Sequence, residues 1–356
     1  MKKIIFGIIG AGWRAEFFFR IAREMPELFH ISGVMTRSPE RGEAVRKNWG
    51  ISVVDSIDGL LSQSPEFVVV SIPRAAAPGV ITDLALRGVP VLTETPPGPD
   101  VESLAALNRL VDNGAKIQVA EQYHLQPLHA ARIRIASSGL LGKISEVQLS
   151  ACHDYHAISL IRKLLRVRFE NAEITAFRFT SPITAGPGRN GPPLEDKMEN
   201  SVQTIARLDF GDRLGIYDFT ASQYFSWIRA LRCMVRGDRG EINELTVRYL
   251  KDFKTPCEVG LKRMDAGENG NLEGYYHKGI IAGSEWVYEN PFKPARFTDD
   301  EIAVASCLEK MAAYVRGGEQ FYSLADASQD HYLTLMINQA VKTGEMVKTE
   351  SQPWSD

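Results

Sequence analysis

Ile4-Ile5-Phe6-Gly7-Ile8-Ile9-Gly10-Ala11-Gly12-Trp13-Arg14-Ala15 stands at the head of the chain, behind Met1-Lys2-Lys3. An apolar run broken only by Gly7 meets two glycines and then an amphipathic stretch starting at Glu16. A short apolar run ending in turn residues is the pattern of a strand buried on both faces. Residues 10–15 read G-x-G-x-x-A, between that strand and a helix expected over 16–24. In such a turn Gly10 permits the tight reversal and Gly12 lets the backbone approach a pyrophosphate. Ala15 lets helix and strand pack closely, while the helix N-terminus offers oriented N–H groups. A second strand is due at 30–35. The context therefore predicts a dinucleotide site that includes Gly10, Gly12, Trp13 and Arg14.

Beyond that turn the first third alternates in the same way. Residues 4–9, 30–35, 52–54, 67–72, 90–93 and 116–119 read as strands, and 16–24, 40–48, 57–62, 79–87 and 101–113 as helices. That rhythm predicts a parallel, doubly wound α/β sheet. Beyond Ala120 the pattern changes. Helices are expected over 128–138 and 157–165, with strands over 145–151, 172–180, 201–210, 213–222, 232–237, 245–252 and 258–264. This reads as an α+β domain with a large, mostly antiparallel sheet. Residues 181–193, rich in Pro and Gly, suggest a functional loop or lid. Two helices, 299–316 and 324–343, close the pattern beside Gly317-Gly318 and Gly344. The expected division is 1–122 and 123–356, in keeping with about 150 residues per domain.

Composition narrows the function. The 356 residues carry 41 basic and 44 acidic side chains, a net charge of -3, which argues against a nucleic-acid partner. Cys152, Cys233, Cys257 and Cys307 form no C-x-x-C pair, so neither a disulfide framework nor a zinc site is expected. Residues 1–9 superficially resemble a signal peptide, but the apolar run meets Gly10, Gly12 and Arg14 too soon. No run approaches the roughly 20 apolar residues of a membrane span. A soluble, cytoplasmic protein without a membrane partner is expected.

The second strand ends Val34-Met35-Thr36-Arg37-Ser38. An NAD site usually carries Asp or Glu here for the ribose hydroxyls. Thr36 removes that carboxylate, and Arg37 and Ser38 suit a 2′-phosphate, favouring NADP over the alternative, NAD.

Several further segments fall in a distinctive order: Ser71-Ile72-Pro73, Val89-Pro90-Val91-Leu92-Thr93-Glu94-Thr95-Pro96, residues 119–127, Gly139-Leu140-Leu141-Gly142-Lys143-Ile144 and the final helix. With residues 10–15 they resemble the Gfo/Idh/MocA family, which includes glucose–fructose oxidoreductase and inositol dehydrogenase. The resemblance implies an N-terminal Rossmann domain and a C-terminal domain whose open sheet often forms the oligomer interface. It implies a homodimer or homotetramer, a helix at about 324–343 returning to the Rossmann domain, and a nicotinamide site at the junction facing a sugar or polyol. Ile72, Pro73, Glu94, Thr95 and Pro96 would adjoin the cofactor.

The catalytic positions depart from the family. Its Glu-Lys-Pro motif reads Glu94-Thr95-Pro96 here, without the lysine. Its His, Asp and His, spaced by three and then four residues, read His156, Ser159 and Lys163, and the Arg common after Tyr123 is His124. On a helix, positions 156, 159 and 163 share one face. Oxidising a carbinol needs a base and a group that stabilises developing charge. His156 or Tyr155 suits the first role, and Lys163 or Tyr123 the second. A metal on His153, Asp154 and His156 would need a ligand spacing that is not recurrent. The aromatic clusters at 224–229 and 275–278 read as sugar-stacking walls or, more commonly in a sheet, as core or interface.

The expected activity is NAD(P)-dependent hydride transfer to or from a carbohydrate-like carbinol or ketone. Two alternatives stay open: redox-neutral cleavage through a transient keto-sugar, and a nucleotide-binding protein that has lost catalysis.

Overall fold

The computed structural model describes residues 2–267 and 274–355. The first half of the fold is β1 (Ile4–Ile9), α1 (Ala15–Glu24), β2 (Phe29–Met35), α2 (Pro39–Trp49), β3 (Val53–Val54) and α3 (Ile57–Leu61). It continues through β4 (Phe67–Val70), α4 (Ala77–Leu86), β5 (Val91–Thr93), α5 (Val101–Asp112) and β6 (Ile117–Val119). The six strands are parallel in the order β3-β2-β1-β4-β5-β6. The order reverses beside β1, and in open α/β sheets ligands bind at that switch point, outside the carboxyl ends of the strands.

A 3₁₀ turn (Tyr123–Leu125) leads into α6 (Pro127–Ser137), β7 (Ile144–Ser150) and α7 (Asp154–Leu165). Then come β8 (Glu173–Thr184), β9 (Met198–Asp209), β10 (Leu214–Thr220), β11 (Arg232–Gly237), β12 (Gly240–Asn243), β13 (Thr246–Leu250) and β14 (Pro256–Ala266). After them lie β15 (Tyr276–Ala282), β16 (Glu285–Glu289), α8 (Asp299–Val315), α9 (Leu324–Thr343) and β17 (Val347–Lys348). These strands form an eleven-stranded sheet, antiparallel except where β10 joins β7. Helices α6, α7 and α9 cover one face, and Leu149, Leu160, Ile161, Tyr217 and Leu333 share the core between them.

The structure extends and corrects the reading of the second half. β8 runs on through Thr184 because Ser181, Pro182, Ile183 and Thr184 stay in register with Ser201, Asn200, Glu199 and Met198, so the loop is 185–197 rather than 181–193. β12, β15, β16 and β17 are strands that hydrophobic pattern did not reveal. The aromatic group at 275–278 opens β15, where Tyr276 and His277 are buried. The group at 224–229 lies outside any strand, after a 3₁₀ turn at Ala221–Gln223. α8 packs against α1, β1 and β4, with Ile302, Val304, Leu308 and Met311 in the core of the parallel half. α9 lies mainly against α7 and β8, and touches the parallel half through α5 and β6.

Candidate active site

The glycine turn fits its expected ligand. Gly10 has φ +116°, and a β-carbon there would come within 2.1 Å of the Ser71 carbonyl oxygen, beside the Ile72 side chain. Only glycine suits both constraints. A β-carbon on Gly12 would meet nothing within 4 Å, so open space lies where a pyrophosphate would approach. Ala15 is fully buried beneath the turn, and no side chain caps α1. Trp13 is half exposed, and the Arg189 guanidinium from the 185–197 loop lies 3.9 Å from its ring centroid. The 185–197 loop thus reaches over the glycine turn.

At the end of β2, Thr36 Oγ1 accepts the Ser38 backbone N–H at 3.3 Å. Ser38 is the N-cap of α2: its hydroxyl oxygen accepts the Arg41 N–H at 3.2 Å and donates to Glu40 at 3.0 Å. Arg37 is exposed. A 2′-phosphate would therefore share the Ser38 hydroxyl with a helix cap and meet the Glu40 carboxylate.

At the end of β5, Glu94 turns back to the glycine loop, where Arg14 Nε donates to it at 2.9 Å. Arg14 Nη2 is buried with no hydrogen-bond partner among the described residues. Burial lowers the Arg14 pKa, but Glu94 more than restores it, so the guanidinium stays charged. Tyr155 donates its hydroxyl to the Thr95 carbonyl at 3.3 Å, which ties α7 to the segment after β5; Pro96 follows, buried. Pro73 anchors the turn after β4, its carbonyl accepting the Ala76 N–H at 2.8 Å.

α7 begins three residues earlier than periodicity suggested, bringing Asp154, Tyr155 and His156 into its first turn. Asp154 has φ +46°, a conformation that L-residues seldom adopt, and its N–H donates to the Tyr217 hydroxyl at 3.1 Å. His156 is 6% exposed, with Nδ1 2.6 Å from Glu121 Oε2. The Tyr123 ring lies 4.5 Å from the His156 ring, and its hydroxyl donates to Tyr224 Oη at 3.4 Å. Tyr224 also holds His153, accepting its backbone N–H at 3.0 Å and bonding its Nδ1 at 2.5 Å.

Electrostatics follow from burial. The Glu121 carboxyl is pushed up to about 8 by desolvation, against the pull of the Tyr123 N–H, Ser159, Arg14 and Lys163. His156 is lowered to about 3 by burial and then by Arg14. His153 is lowered to about 4 by burial and by His156. Burial raises the phenols of Tyr123 and Tyr155, so neither is a ready base near neutral pH.

His156 and Tyr123 thus come together, and Tyr155 beside them is engaged with Thr95. Lys163 stands further along α7, with Nζ 4.8 Å above the buried Tyr322 ring and in the field of Asp326 and Asp330. Glu121 was not found from sequence. Its separation of 35 residues from His156 left no local signal, although it lies within the resembling segment 119–127. Among the described residues, no group of three or more His, Cys, Asp or Glu is placed to hold a metal ion. No helix there is long and apolar enough to cross a membrane.

Residues 4–123 match the model of an oxidoreductase family with an NAD-binding Rossmann fold, Gfo/Idh/MocA. No curated protein matches the chain in sequence. Among solved structures, a levoglucosan dehydrogenase complexed with NADH and levoglucosan is 16% identical. It aligns over 98% of this chain and 99% of its own, with a TM-score of 0.71. An oxidoreductase from Agrobacterium radiobacter in complex with NAD+, L-tartaric acid and magnesium is also 16% identical, over 97% and 98% of the two chains, with a TM-score of 0.67. The apo scyllo-inositol dehydrogenase from Lactobacillus casei is 16% identical over 98% of each chain, with a TM-score of 0.66. At this identity the likeness is one of fold. Residues 4–123 are thus similar to the NAD-binding Rossmann domain of the Gfo/Idh/MocA oxidoreductases, and the chain as a whole shares the fold of these dehydrogenases.

Proposed function

We propose that the protein is an NAD(P)-dependent oxidoreductase that transfers hydride between a nicotinamide nucleotide and a carbinol or ketone of a sugar, polyol or related compound. The observation that carries this reading is the meeting of the glycine turn and α7 at the domain junction. Arg14 reaches Glu94, Tyr155 reaches Thr95, and His156 lies within the field of both Arg14 and Glu94. A bound nicotinamide supplies the hydride acceptor or donor. Residues 10–15 bind its pyrophosphate on the N-terminus of α1. His156 takes or gives the hydroxyl proton, and Tyr123, packed on its ring, orients it. Lys163 adds positive charge behind the site. NADP remains the preferred nucleotide on the strength of Thr36 and Arg37, although Glu40 beside Ser38 disfavours a 2′-phosphate. Levoglucosan, bound in one similar structure, and scyllo-inositol, after which another is named, set the first compounds to test.

The test is steady-state reduction of NADP+ and of NAD+ with a panel of sugars, inositols and sugar acids. His156→Ala is expected to lose about 10²-fold or more in kcat, with nucleotide affinity intact. Wild-type turnover in this variant would remove His156 from the mechanism. Substrate cleavage without net formation of reduced nucleotide would select the redox-neutral alternative.

A further inference from the structure

Glu121 lies two residues past the end of β6 and is almost wholly buried. Oε1 accepts the Tyr123 backbone N–H at 3.1 Å, and Oε2 faces His156 Nδ1 at 2.6 Å. Ser159, one turn further along α7, donates its hydroxyl proton to the His156 carbonyl at 2.8 Å and stands near enough to the same carboxyl group to lower it. Lys163, the next residue on that face, is near enough to act on Glu121 through its charge. The three α7 positions at which this chain departs from or keeps the family pattern therefore address one carboxylate, and that carboxylate comes from a different element.

We propose that Glu121 is the positioning residue of the active site, holding His156 through Nδ1 so that Nε2 faces the carbinol and replacing the carboxylate missing at position 159. This inference rests on the oxidoreductase reading. During oxidation the carbinol C–H bond breaks as hydride passes to the nicotinamide, and the O–H proton passes to Nε2. The resulting imidazolium keeps its Nδ1–H on the ionised Glu121. Reduction of a ketone reverses each transfer. A carboxylate in this place fixes the tautomer and stabilises the imidazolium, as an acid behind a catalytic histidine does in general.

The pair shares protons as a unit. Below about pH 8 the raised Glu121 carboxyl keeps its proton and gives it to Nδ1 as a hydrogen bond, so the neutral imidazole carries its own proton on Nε2. Above that pH a single proton remains between Oε2 and Nδ1, and Nε2 is bare. The other charges bearing on the pair are Arg14 from the glycine turn and Glu94 from the end of β5. Asp154 and Lys163 contribute from α7, and Asp300 from α8. His153 and the Tyr123 phenol stand against the imidazole. Oxidation is expected to gain rate as pH rises through about 8, and ketone reduction to lose it.

The test is nitrogen-15 NMR of the full chain labelled at histidine, with His156→Gln to assign the signals, between pH 6 and 10. The wild type is expected to lose the Nε2 proton and gain one on Nδ1 in a single step near pH 8. Glu121→Gln, nearly isosteric, is expected to abolish that step. With myo-inositol or D-glucose as oxidisable probe, it is expected to lower kcat about 10²-fold while KM changes less than about threefold. An imidazole with an unchanging Nε2 across the range, or a step unaltered by Glu121→Gln, would overturn the inference. The NMR signature needs no turnover. Failure of every sugar to reduce nucleotide would therefore count against the oxidoreductase reading, whereas an unresponsive Nε2 counts against Glu121.

Discussion

Gly10 and Gly12 are adjacent members of one turn, yet the structure separates their roles. Gly10→Ala would drive a β-carbon into the Ser71 carbonyl at a φ that alanine rarely adopts, at a cost of about 1–3 kcal/mol. Gly12→Ala would meet only open space. Chemical denaturation should show Gly10→Ala destabilised and Gly12→Ala close to wild type, while fluorescence titration with NADPH should show both losing affinity. Glu121 gives a second expectation at this scale. Its carboxyl is raised from the ordinary range to about 8, so the folded chain holds a proton that the unfolded chain has released. Its contribution to stability therefore falls as pH rises between about 4.5 and 8 and levels above that. Glu121→Gln should flatten this part of the profile of melting temperature against pH. The turn was legible because its residues are contiguous, with strand before and helix after. The Glu121–His156 contact was not, because it joins two elements that only the folded sheet brings together.

At the scale of elements, α7 shows both what pattern reveals and what it hides. Ile158, Leu160, Ile161, Leu164 and Leu165 gave its buried body away, but the polar start His153-Asp154-Tyr155-His156 carries no apolar period, so its first turn was missed. The same helix buries Arg162. Its guanidinium donates to Asp330 at 2.5 Å and to the Arg168 carbonyl, and reaches Asp326 at 3.3 Å, fastening α7 to α9. Arg162→Ala leaves Asp330 buried without its counter-charge and should cost about 3–5 kcal/mol, measured by urea unfolding. Strand β15 escaped notice for a related reason: Tyr276 and His277 are both buried, and Gly279 interrupts the alternation that marks a half-buried strand.

For the whole molecule, the eleven-stranded sheet has one face covered by helices and another without them. On the open face Phe177 and Phe179 of β8 are more than half exposed, and beyond β9 and β10 a row of paired charges runs from Glu146 through Arg236, Glu241 and Arg248 to Glu258. Exposed aromatic area among compensated charges fits a surface shared between copies, as the family resemblance implied. Phe177→Asp combined with Phe179→Asp should lower the molar mass seen by sedimentation, with nucleotide affinity retained. An unchanged mass would count against this face as a surface between copies.

The packing of α8 also governs when the protein can fold. Phe6, Phe18 and Phe67 belong to a core completed by Ile302, Leu308 and Met311, which lie more than two hundred residues later in the chain. During synthesis the parallel-sheet half leaves the ribosome before the second sheet, yet one wall of its interior follows only after β16. The nascent chain must therefore carry unshielded apolar surface through the making of the entire second sheet, which makes this stretch of translation the interval when a chaperone has most to offer.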